Sequence, residues 1–421
     1  MRTVRRVAVV GVLATLALGL SVLTHPERTD DGARLAIQVD PSPTPALPTP
    51  TAVVRPSPTS PPPTPAPADG EGARTDPRRV TVLMSGDLLW HNSVWQSAHE
   101  DAVRLGEKRR FDFDPMFAAM KPLVQDADLA ICHEEVPFAA DDEHLSSYPV
   151  FAAPPGIARW IASMGWDACT TDSNHSIDQG FDGLVRTDTL LARAGVRHVG
   201  TFRTPAERRR PVILTRNGVR IGIVGGTYSL NGFALPPDQR WAVSMWDADN
   251  LIAQARAAKR AGADIVLVQY HGGTEYSALP NADQLALVRR LTASPYVDLV
   301  FAEHAHVVQP ITKVNGKWVV YGLGNMVGQS DPAYPRAYEG ISARFTFTRT
   351  AHGFRVTRAT YIPTSWNVYS PGNPIRVRTV VSSLAQGHGN RSRLLEALHW
   401  TTRAVDGADP AGDTTPGLRR N

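Results

Sequence analysis

His304 and His306, separated by one residue, follow the largely apolar run 297–302 and precede a second strand-like stretch. Along an extended chain side chains alternate faces, so residues two apart point the same way and two imidazoles can converge on one ion or on adjacent ions. Four further polar clusters also follow segments that read as strands: Asp87; Glu135, preceded by His133 and Glu134; Asn174-His175 with Asp178; and His271 with Glu275. In open α/β folds ligands bind beyond the carboxyl ends of strands, so this recurrence marks a candidate site. Carboxylates, a carboxamide oxygen and neutral imidazoles suit divalent Mn, Fe or Zn, whereas a structural zinc site more often uses cysteines. Singly, these residues have ordinary roles: Asp87 as a cap or turn residue, Asn174-His175 as a turn with a satisfied histidine. Their joint placement argues for metal.

The elements that must position them alternate. Residues 80–85, 129–132, 168–171, 264–269 and 299–301 read as strands; 157–164, 183–194, 248–261 and 282–291 read as helices. Asn217-Gly218 and Asn315-Gly316 are hairpin turns, joining 212–215 to 221–224 and 311–314 to 318–321. The alternating stretches 341–348 and 354–362 form a further hairpin, and a helix near 391–402 closes the domain. Two packed mixed sheets with helices outside follow from this order.

The chain has 421 residues, 42% hydrophobic and 20% charged, enough for a large core. Its net charge of +4 is small and its arginines are scattered, the run Arg208 to Arg210 reading as a solvated loop, so no nucleic-acid partner is expected. Arg2, Arg5 and Arg6 precede the uncharged apolar stretch 7–24, the layout of an export signal, either an uncleaved anchor or a cleaved peptide. Residues 1–28 are thus assigned to this signal. Residues 29–79, rich in proline and threonine, read as an extended linker; 80–402 as the globular domain; and 403–421 as a tail without structure. The two cysteines, Cys132 and Cys169, are open to two readings, a disulfide outside the cytoplasm or two buried thiols.

The ordered series Gly86-Asp87, Ala127-Asp128-Leu129 with Glu135, Asn174-His175-Ser176-Ile177-Asp178-Gln179-Gly180, His271-Gly272-Gly273-Thr274-Glu275-Tyr276, His304-Ala305-His306-Val307-Val308-Gln309-Pro310 and Gly324-Asn325 resembles the CapA capsule-synthesis family. The resemblance implies an α/β fold, the four-layer α-β-β-α sandwich of the metallo-dependent phosphatase type, with two divalent metals. Carried over by position, Asp87 would bind one metal and Glu135 would bridge. Asn174, His271 and His304 would complete the second site, and His306 would return to the first. His175 would be the general acid, with Asp178 assigned beside it to catalysis. The sequence departs from the pattern at three places: His133-Glu134-Glu135 stands for Asn-x-Glu, Ser173-Asn174-His175 for Asn-Asn-His, and Ala302-Glu303-His304 for Gly-His-His. Leu89 also occupies the histidine position of the general phosphoesterase pattern Asp-x-His. His133 is therefore expected to supply the missing imidazole, with His91 a less well-placed substitute.

Two functions are compatible with these expectations. One is a membrane-anchored, extracytoplasmic accessory protein of poly-γ-glutamate or capsule assembly, working on an envelope polymer with membrane synthase or export partners. The other is a secreted metal-dependent phosphoesterase.

Overall fold

The computed structural model describes residues 79–407 and 418–420. The expected export signal, the linker up to residue 78 and residues 408–417 lie outside the described residues. Among the described residues no helix is long and apolar enough to cross a membrane.

Four parallel strands open the first sheet: β1 (Arg79–Leu88), β2 (Leu129–Glu134), β3 (Ala168–Thr170) and β4 (Arg197–Val199). The chain then builds a second sheet from β5 (Val212–Arg216), β6 (Val219–Val224), β7 (Ile265–His271), β8 (Leu299–Glu303), β9 (Ile311–Val314) and β10 (Lys317–Val320), in the order β5-β6-β7-β8-β10-β9. It returns to the first through β11 (Asn325–Val327), β12 (Glu339–Thr350), β13 (Gly353–Trp366) and β14 (Val377–Thr379), giving the order β14-β13-β12-β1-β2-β3-β4, with β11 parallel to β1.

Three cores separate four layers. Val82, Met84 and Ile131 of the first sheet meet Ile221, Leu267, Phe301 and Val320 of the second in the central core. The outer face of the first sheet is covered by helices Asn92–Leu105 and Ile157–Met164, through Val94, Trp160 and Ile161. Helices Ala248–Arg260 and Ala282–Ala293 cover the second through Leu251, Ala255, Val288 and Leu291. This is the α-β-β-α sandwich of the metallo-dependent phosphatase type. A sheet covered on both faces requires strands apolar on both, and β7 is buried at every residue. Each large side chain fully buried in these layers contributes about 1.5–3 kcal/mol.

Both Asn-Gly hairpins form, joining β5 to β6 and β9 to β10, with positive φ at Asn217, Gly218, Asn315 and Gly316. Several features differ from the sequence reading. Helix Asn92–Leu105 was not anticipated; its N-cap, His91, makes no side-chain cap hydrogen bond. The helix expected to end at 402 runs to Val405, and Leu418–Arg420, placed in a tail without structure, forms the short strand β15 parallel to β13. Cys132 and Cys169, in register on β2 and β3, are joined as a disulfide with their Cα atoms 4.4 Å apart, which decides between the two readings of the cysteines.

Candidate metal centre

The carboxyl ends of β1, β2 and β3 in one sheet meet those of β7 and β8 in the other. Asp87 lies within β1, whose pairing shifts register beside it. Its placement depends on Gly86: a Cβ there would stand 1.8 Å from the Gly324 carbonyl oxygen, the atom that accepts the Asp87 N–H. Asn174 and His175 sit in the turn after β3. Ser173 Oγ donates to the Glu135 carbonyl and accepts the His175 N–H, tying that turn to the end of β2. His271 is the last residue of β7.

His304 and His306 follow β8 with φ of +92° and +56°. Their convergence therefore arises from two left-handed residues, and the expectation that they share a face of an extended chain is corrected. Non-glycine residues pay roughly 1–2 kcal/mol for this conformation. Such cost persists where the surroundings impose it, and concentrates at functional sites.

The side chains close on one another. His133 Nε2 is 3.9 Å from Asp87 Oδ1, and His306 Nδ1 is 3.2 Å from Asp87 Oδ2. Glu135 Oε1 stands between the halves, 3.8 Å from both His271 Nε2 and His306 Nε2. His271 Nε2 meets Asn174 Oδ1 at 2.7 Å, and its ring stacks on His133 at 4.8 Å. His304 packs 4.8 Å from His271 and 5.8 Å from His306. His175 lies beside Asn174 and meets Asp178 Oδ2 through Nδ1 at 2.7 Å; that carboxylate oxygen also accepts the Phe151 N–H. Three overlapping groups hold ligand atoms mutually within 4.8 Å: Asp87, His133 and His271; Asp87, Glu135 and His306; Glu275, His304 and His306. His271 thus falls with Asp87 and His133, on the side of the cluster where the resemblance placed the other metal.

These residues fit a cation. Both oxygens of Asp87 and of Glu135, His133 Nε2, His271 Nδ1 and His304 Nδ1 are buried without a hydrogen-bond partner. Each such group costs about 1–3 kcal/mol, more when charged. A bound divalent ion would satisfy several at once. Burial holds the His133 ring down to about 4, and His271 and His304 well below the usual histidine range, so these rings are neutral, the form that ligates. Burial opposes charge on His306 as well, but Glu135 and Asp87 outweigh it and push this ring up to about 10. Burial raises Glu135 well above the usual carboxylate range. A field that draws a proton onto a buried ring also draws a metal cation.

Partners outside the expected set orient it. Thr170 Oγ1 meets His133 Nδ1 at 2.8 Å, which leaves Nε2 toward Asp87, and Asn325 Oδ1 accepts from His306 Nδ1 at 2.9 Å. Asn231 accepts from Asn174 Nδ2 at 3.1 Å and places its own amide against the His175 ring, 3.4 Å from Nδ1 and 3.5 Å from Nε2. Tyr228 packs its ring 4.5 Å from His304. Asn325 stood in the Gly-Asn motif without a role, and Asn231 opens a third Asn-Gly pair, Asn231-Gly232, here with φ of +51° and +80°. Tyr228 carries no pattern by which it could be found. His91 is tied elsewhere, its Nδ1 accepting the Gln329 N–H at 3.1 Å.

A four-layer sandwich whose joined strand ends carry buried carboxylates, imidazoles and a carboxamide defines a protein of the metallophosphatase fold class. Residues 81–330 match the family described as bacterial capsule synthesis protein PGA_cap, and the chain belongs to that family. Similar relatives include a "Probable polyglutamine synthesis accessory protein" of Mycobacterium tuberculosis, 28% identical over 52% of this chain and 58% of the relative. The PGA biosynthesis protein CapA of Bacillus subtilis is 29% identical over 47% of this chain and 51% of its own length. The chain thus spans a little over half the length of the curated relatives it matches. Among solved structures, the calcineurin-like phosphoesterase YfkN of Bacillus subtilis aligns with 16% identity and a TM-score of 0.42, over 77% of this chain and 97% of that one.

Proposed function

We propose that this protein is an extracytoplasmic accessory factor of capsule or poly-γ-glutamate assembly that holds two divalent ions, Mn, Fe or Zn, at the cluster. The observation that carries this reading is the set of buried, unpartnered carboxylate and imidazole atoms within a chain of the capsule-synthesis family. Asp87, Glu135, Asn174, His271, His304 and His306 would hold the ions, with Glu135 between the two halves. His133 takes the place of the imidazole that Leu89 cannot supply. Bound ions would polarise a substrate oxygen and make water more acidic at neutral pH. Residues 1–28 would anchor the chain and residues 29–79 would space the domain from the membrane, bringing it to an envelope polymer and to membrane synthase or export partners.

The arrangement of His175 favours a second reading, hydrolysis of a phosphoester. Its Nδ1–H donates to Asp178, whose position is fixed by the Phe151 N–H, and its Nε2, 3.5 Å from the Asn231 amide, would be the nitrogen that exchanges a proton with a substrate. Elemental analysis of the protein from its native compartment tests the metal assignment; fewer than one equivalent of any divalent metal removes it. Phosphatase assays with Mn, Fe and Zn separate the two readings. Turnover abolished in His175→Ala and Asn174→Ala supports the hydrolase, and metal binding without turnover supports the accessory role.

A further inference from the structure

We propose that Glu275 is a further ligand of this centre, a carboxylate offered from the solvent side beside His304 and His306; the proposal rests on reading the cluster as a metal site. The path of the chain makes the case. β7 ends at His271, and the next two residues have no room for a side chain. A Cβ on Gly272 would come within 2.7 Å of the Trp246 ring, and one on Gly273, at φ +139°, within 2.9 Å of the buried Gln284 amide. The backbone can run flush against both neighbours only as glycine.

The far side of Glu275 is held as firmly. Tyr276 adopts φ +60° and donates its N–H to the Ala305 carbonyl at 2.8 Å, the residue between the two histidines. Its ring lies 6.1 Å from His306 and stacks on Tyr334 at 4.8 Å. An aromatic residue in the left-handed region is costly, and here the conformation draws the loop onto the His304–His306 turn.

Glu275 is thereby brought into one group with His304 and His306, with an atom of each mutually within 4.8 Å. A solvated carboxylate needs no partner, so its position alone decides nothing. The second observation is His304, only 2% exposed, whose Nδ1 has no hydrogen-bond partner. Carboxylate oxygen with imidazole nitrogen is a donor set for Mn, Fe or Zn. Asp87 and Glu135 are buried, whereas Glu275 is exposed, so it is the carboxylate that borders the solvent from which a substrate arrives.

The test is titration of the metal-stripped protein with Mn(II) and Co(II), comparing wild type with Glu275→Gln and Glu275→Ala. Expected are a weakening of one binding step by about tenfold or more in both variants, an altered visible Co(II) spectrum, and unchanged thermal unfolding of the stripped proteins. Wild-type affinities and an unchanged Co(II) spectrum in both variants overturn the proposal while leaving the metal site standing. A wild-type protein that binds neither ion overturns both.

Discussion

His133 Nε2 has no hydrogen-bond partner and faces Asp87, while its other nitrogen is held by Thr170. A ring fixed at one nitrogen and bare at the other is arranged to ligate. His133→Ala is expected to weaken one metal-binding step by about 10- to 100-fold, and Thr170→Val by a smaller factor in the same step, both read by calorimetric titration. Equal stoichiometry and affinity in His133→Ala would exclude it as a ligand. Asn231 acts through Asn174: its side-chain oxygen accepts from Asn174 Nδ2 and so directs Asn174 Oδ1 toward His271. Asn231→Ala should lower metal affinity about tenfold, and Asn231→Asp, which keeps an accepting oxygen, should retain more of it. At this scale the placement of candidate donors was legible where they end or directly follow a strand, as with His271 and Glu135. Asn231 was not, because it reaches the site from the loop after β6, 57 residues beyond Asn174, and nothing local in Asn-Gly distinguishes a positioning amide from a hairpin turn.

The elements hold the site through close backbone contacts as much as through strand pairing. Gly86 is the sharpest case, since any Cβ would overlap the Gly324 carbonyl and push β1 from β11. Gly86→Ala is expected to cost about 3 kcal/mol or more in urea unfolding and to displace Asp87. A cost under 1 kcal/mol would show that the two strands can separate without loss. The strands and the two hairpins were readable because period-2 runs and Asn-Gly turns are local signals. The His304–His306 turn was readable in composition and misread in conformation: alternation holds only while the chain stays extended, and β8 ends at Glu303. Helix Asn92–Leu105 escaped because its sequence offers no side-chain cap and no acidic first turn.

At the scale of the molecule, the layer order followed from the alternation of elements, while the pairing of sheets that brings β7 and β8 to β1 and β2 is a long-range outcome that periodicity does not encode. Away from the site, Glu207 accepts from the Arg203 backbone and guanidinium and lies 3.1 Å from His198, beside the buried Asp188. Burial opposes ionisation of Glu207, but His198 and Arg203 prevail and hold it below the usual carboxylate range. A depressed carboxylate contributes stability above its unfolded pKa of about 4.3 and loses it as pH falls toward the folded value. The margin by which the melting temperature of wild type exceeds that of Glu207→Gln should therefore narrow as pH falls below about 4. A margin that widens in acid would refute the assignment. Replacing Cys132 and Cys169 together by alanine should remove about 3 kcal/mol of stability, measured by urea unfolding.

That cross-link has a reach beyond stability. It joins β2 to β3 in register a few residues before Glu135 and Asn174, so the two strands that present a carboxylate and a carboxamide to the cluster are one covalent unit. Oxidants in the surroundings thereby enter the assembly of the centre. A chain matured among reducing thiols would hold the same donors by strand pairing alone, and one matured where sulfur is oxidised would have their spacing set covalently before any cation arrives.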